Sequence, residues 1–143
     1  MDVIDAEKLL AALEPGDDDL RSEVGVRDRV AYLKITTLSD PDDFAVVCTP
    51  GSRWYEVSVR GGYSAIHFDE EATDDEVATL VREYLALAVA YLRGNRTVVT
   101  SRVLRIPAVR VEAEGRPGRP QAVVGRRGQA DLRAEAVNRT FAS

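Results

Sequence analysis

One cysteine, one histidine, one tryptophan and one methionine in 143 residues leave little of the chemistry on which enzymes and metal sites draw. A single thiol, Cys48 in the apolar run FAVVCT, closes no internal disulfide. It fits a reducing compartment and a buried position as a small hydrophobe. A zinc site needs three or four soft or carboxylate ligands at workable spacing, and Cys48 with His67 falls short of that. The sequence has no phosphate-cradling glycine loop and no nucleophile elbow. No metal, no cofactor and no catalytic residue are therefore assigned.

Long apolar runs are also missing. None would span a bilayer, and the start, MDVIDAEKLLAALEPGDDD, is acidic and amphipathic where a secretory signal is basic and then uniformly apolar. The expectation is a cytoplasmic protein with no membrane partner. Lysine is scarce: 17 of the 19 basic residues are arginine, which with the abundant alanine points to a GC-rich bacterial genome.

What is present suits one core. With 45% hydrophobic residues the chain reads as a single domain over 1–143, with 115–143 as a peripheral C-terminal extension. A domain of this length buries roughly two-thirds of its unfolded surface and needs no covalent staple. Residues 1–76 carry 19 acids and 7 bases, net −12, whereas 77–143 carry 5 acids and 12 bases, net +7. The two halves either attract each other within the fold or polarise its surface towards a charged partner. A nucleic-acid partner is not expected, because the whole is acidic and no aromatics interleave with the C-terminal arginines.

The pattern predicts an α+β fold: an antiparallel β-meander packed against one long central helix, with a short N-terminal helix and an optional C-terminal one. Asp5 to Leu13 is the short helix, with Ala6, Leu9, Leu10 and Leu13 on one side and Pro15-Gly16 after it. Val26 to Leu38 reads as one strand and Phe44 to Thr49 as the next. The connection Pro50-Gly51-Ser52 sets Val47 opposite Tyr55 and Cys48 opposite Trp54, placing Phe44, Val46 and Cys48 on the Trp54 face. Arg53 to Arg60 alternates, and Gly61-Gly62 supplies the two positive-φ residues of a two-residue hairpin turn. That turn pairs Arg60 with Tyr63, Ser58 with Ala65, Glu56 with His67 and Trp54 with Asp69, all on one face. The opposite face then carries Tyr55 against Phe68 and Val57 against Ile66.

Thr73 with Glu76 makes a capping box for a helix of roughly 20 residues that ends at Arg93-Gly94. Its apolar stripe runs from Val77 through Leu80, Val81, Tyr84, Leu85 and Ala88 to Tyr91 and Leu92, and it widens at Leu87, Val89 and Ala90, so the second half should be buried more completely. Arg96 to Ile106 and Ala108 to Ala113 read as two strands separated by Pro107, and Ala122-Val123-Val124 as a short one. Gly115 to Pro120 is a connector, and Gln129 to Val137 is a polar helix or a loose tail.

The expected contact surface is the outer hairpin face. Trp54, Tyr63 and His67, with Glu56, Arg60 and Asp69 between them and the acidic Glu70 and Glu71 at the border, form the mixed aromatic and charged composition that anchors protein interfaces. Against this stands burial of Trp54 under another element. His67 beside Glu56 is the one acid/base pair on offer, and a structural cross-strand pair is its plainer reading.

The run GSRWYEVSVRGGY, the helix start TDDE and the helix end AVAYLRG resemble small immunity proteins of bacterial polymorphic toxin systems, over Gly51 to Gly94. The resemblance implies a protein that binds a cognate toxin and blocks it without turnover. The order of elements in a small acidic chain is also similar to bacterial secretion chaperones, which implies a homodimer holding an effector segment on an apolar face through Phe44, Val46 and Trp54. A small enzyme using His67 with Glu56 or Asp69 is the third reading.

Overall fold

In a computed structural model, residues 1–100, 107–111 and 121–124 are described. Two helices lie on one face of an eight-stranded antiparallel sheet. The chain runs α1 (Val3–Ala12), β1 (Leu20–Arg27), β2 (Val30–Thr37), β3 (Phe44–Thr49), β4 (Arg53–Val59), β5 (Tyr63–Asp69), α2 (Asp74–Leu92), β6 (Arg96–Thr100), β7 (Pro107–Val111) and β8 (Gln121–Val124). The strand order is β1-β2-β3-β4-β5-β8-β7-β6. The predicted α+β meander packed on a long helix is the observed architecture.

Both helices begin at side-chain caps, that of α2 being the one the sequence predicts. Asp2 accepts the amide of Asp5 at 2.9 Å, starting α1 two residues earlier than expected and pointing Ala6 and Leu10 into the core at 0% exposure. In α2 the Thr73 amide donates to Glu76 Oε2 at 2.8 Å and the Glu76 amide to Thr73 Oγ1 at 3.3 Å. At the other end Gly94, at φ +84°, closes a Schellman motif in which Asn95 N donates to Ala90 O and Gly94 N to Tyr91 O. In the first half of α2 the buried residues are Val77 and Val81; near its end they are Leu87, Ala88, Ala90, Tyr91 and Leu92, the deeper burial the pattern predicts.

The expected strand over Val26 to Leu38 is in fact the second half of a hairpin. β1 pairs with β2 from Leu20↔Thr37 to Arg27↔Val30, leaving Asp28-Arg29 as a two-residue turn with both φ positive, at 53° and 64°. This primed turn lacks the glycine that signals it, and an arginine in the left-handed region costs about 1 kcal/mol. Asp28→Asn combined with Arg29→Gly is therefore expected to raise stability by about 1 kcal/mol, read as a higher urea midpoint at unchanged m-value.

The β3–β4 register differs from expectation by two residues: Val47 faces Val57 and Cys48 faces Glu56, not Tyr55 and Trp54. Thr49 Oγ1 donates to Trp54 O at 2.7 Å and accepts the Gly51 amide at 3.0 Å, so the loop extends past Ser52 into Arg53, whose φ is +77°. An even slip keeps every side chain on its face. Phe44, Val46 and Cys48 do share the Trp54 face. Pro107 opens β7 instead of separating two strands, a position where its missing N–H interrupts no central ladder. Ala122 to Val124 falls in β8, between β5 and β7. The connector over 115–120 and the helix or tail over 129–137 lie outside the described residues.

The main core fills the space between sheet and helices, with Leu33, Ile35, Val47, Tyr55, Val57 and Val59 from the sheet against Leu10, Val77, Val81 and Ala88. A second cluster, Tyr32, Val46 and Cys48 with Val30, Phe44 and Trp54, lies on the opposite face. Tyr84, inside the helix layer, has its phenol pushed up from 10.0 to about 12, first by burial and then by the Glu56 and Glu83 carboxylates. The unfolded chain thus ionises first, and the stabilisation present below pH 10 is lost as pH rises towards 12. Tyr84→Phe should flatten that alkaline decline, measured as the midpoint of urea unfolding from pH 9 upward.

Candidate protein-binding surface

The hairpin of β4 and β5 turns at the diglycine, but through three residues. Val59 pairs with Tyr63, Ser58 with Ser64, Glu56 with Ile66, Tyr55 with His67, Trp54 with Phe68 and Arg53 with Asp69. Gly61 and Gly62 keep positive φ at 93° and 80°. Arg60 joins them in the loop because its amide donates to Phe44 O at 3.3 Å, which draws it towards β3 instead of across to Tyr63. A slip of one residue moves all of β5 to the opposite face.

The expected surface is thereby taken apart. Tyr63 turns to the helix side and packs against the main core. His67 also points to the helix side, exposed, with its ring centroid 6.4 Å from that of Tyr55. Glu56 is on the face opposite α1 and α2 at 1% exposure, so it is neither a contact residue nor a partner for His67. Arg60 is exposed at the turn, about 20 Å along the strand from Trp54. Trp54 is half-buried in the second cluster, between the two alternatives posed for it.

The same slip brings out a residue that the sequence reading assigned to the interior. Phe68, expected beside Tyr55 on the buried face, sits opposite Trp54 on the face away from α1 and α2 and is 68% exposed. It is the most exposed of the large hydrophobic side chains described. The alternative register was the only signal for it, since Gly-Gly serves two-residue and three-residue loops alike.

Beyond Phe68 the chain turns sharply into α2. Asp69 Oδ1 accepts the Glu71 amide at 3.0 Å, fixing the bend, and Glu70 and Glu71 are exposed on it. Asp74, Asp75 and Glu76 follow in the first turn of α2, where the helix dipole favours negative charge. Asp69, Glu70 and Glu71 are thus the expected residues that the structure keeps together, now flanking Phe68 and Trp54. Six acids and no base occupy 69–76.

Among the described residues no group of three or more histidine, cysteine or carboxylate side chains is placed to hold a metal ion, and no helix is long and apolar enough to cross a membrane. Such a surface can dock an apolar pocket and a cationic rim; it offers no nucleophile paired with a base. Comparison with family models, curated proteins and solved structures finds no match to this chain.

Proposed function

We propose that this chain is a non-catalytic protein-binding domain, an immunity protein that occludes a cognate bacterial toxin by docking the Phe68 end of its sheet onto it. The observation that carries the reading is Phe68, an aromatic ring 68% exposed beside Trp54 and followed directly by three carboxylates. Exposed aromatics ringed by charge are the usual anchors of protein interfaces. Residues 1–100 carry 20 acids and 10 bases, so a basic partner is attracted from a distance and held at the acidic rim. The resemblance over Gly51 to Gly94 supplies the choice of a toxin.

The competing readings lose support at particular residues. An acid/base enzyme loses its Glu56–His67 pair to the hairpin register. A chaperone groove through Phe44, Val46 and Trp54 is weakened by Val46 at 0% exposure. The test is co-expression with the product of the neighbouring gene, in a host that this product kills. Survival with the wild-type chain, together with a one-to-one complex on size exclusion, is the expected result. Death of the host despite soluble, folded protein would remove the reading.

A further inference from the structure

We infer that a second copy of this chain docks its Phe68 end into a groove on α2, giving head-to-tail self-association. The groove, of about 340 Å³, lies between the C-terminal half of α2 and the segment after α1, lined by Leu85, Ala86, Val89, Ala90 and Pro15 with Arg82 and Arg93 at its rim. It is a fixed feature: Arg93 holds Asp17 at 3.0 Å and Asp19 at 3.9 Å, tying the Pro15 wall to the helix. Those two acids occupy Arg93. Among the described residues Arg82 has no such partner: its neighbours one turn away are Ala78, Thr79, Leu85 and Ala86, and it is exposed.

An apolar slot with one uncompensated guanidinium at its edge suits an apolar side chain followed by a carboxylate. Among the described residues the pattern occurs at Ile4-Asp5 and at Phe68-Asp69-Glu70-Glu71, and the second has the more exposed side chain, 68% against 51%, and three carboxylates where the first has one. One copy cannot satisfy itself. Phe68 is on the face away from α1 and α2, while Ala86 lies about 18 Å along α2 from its start on the other side of the sheet. Because the two surfaces lie on opposite sides of the sheet, a pair of copies cannot fill both contacts at once, and the contact propagates into a ring or an open filament. A ring and a short acidic rim make a small, weak contact that salt weakens further.

This inference shares Phe68 with the proposed toxin contact and adds the groove, which that contact does not use. Sedimentation velocity from about 10 µM to about 1 mM should show wild-type chain growing beyond a dimer. Phe68→Ala and Arg82→Glu should each abolish growth. Their equimolar mixture restores one complementary pair and should stop at a heterodimer of twice 15.7 kDa. Wild-type protein that stays monomeric, or a mixture that does too, overturns the inference. Arg82→Glu that still captures the neighbouring gene product, while Phe68→Ala does not, separates the two contacts; a self-associating protein that captures nothing removes the toxin reading alone.

Discussion

Gly51→Ala is expected to cost about 3–5 kcal/mol, the largest effect of a glycine-to-alanine change among the described residues. Gly51 sits at φ +100°, where a side chain is strained by about 1–3 kcal/mol. Its new Cβ would also lie 2.5 Å from the carbonyl oxygen of Asp2 and 2.7 Å from that of Met1. Both are backbone atoms, so relief requires moving the segment that caps α1, and with it the packing of Ala6 and Leu10. Gly62→Ala is the control, since Gly62 has φ +80° but no atom within 4 Å of its Cβ position. It should cost about 1–2 kcal/mol. Urea unfolding of the two variants separates strain from collision, and equal losses would show that the approach of the N-terminal segment is not a constraint. For a domain stabilised by roughly 5–15 kcal/mol, the Gly51 change approaches unfolding.

Phe68→Ala is expected to weaken the complex with the cognate partner by about 2 kcal/mol or more, close to thirtyfold in Kd, while leaving stability within about 0.5 kcal/mol. The asymmetry follows from exposure: a ring 68% exposed loses little on folding but is fully available for burial against another protein. Glu70→Lys with Glu71→Lys should act differently, slowing association and flattening its salt dependence more than it speeds dissociation. Titration calorimetry for the first variant and stopped-flow kinetics for the second distinguish an apolar anchor from an electrostatic rim. A Phe68→Ala protein that binds as tightly as wild type would move the contact elsewhere on the surface.

Local punctuation explains what the sequence disclosed. Thr73, Glu76 and Gly94 bracket α2 by short-range hydrogen bonds, and the alternation over Arg53 to Val59 sets the inward residues of β4 correctly. The β5 face was misjudged because the choice between loop lengths rests on Phe44 O, sixteen residues before Arg60 in the chain. That error moved Tyr63 and His67 away and Phe68 in, while Glu56 of β4 was lost to burial. β1 went unseen because Asp28-Arg29 makes its turn without glycine, and nothing local to β8 indicates that it lies beside β5. Registers and neighbours are long-range properties, and periodicity reports only on the strand that carries it.

The order of strands dictates an order of assembly. β1 to β4 pair only with sequence neighbours, through connections that close quickly, whereas Ser64 of β5 must wait for Val124, sixty residues later, to gain its outer partner. While the chain is being synthesised, the outer edge of β5 is therefore a raw margin of unpaired amides and carbonyls until residue 124 has emerged from the ribosome. In that interval the strand leading to Phe68 is open to pairing with whatever extended segment reaches it first.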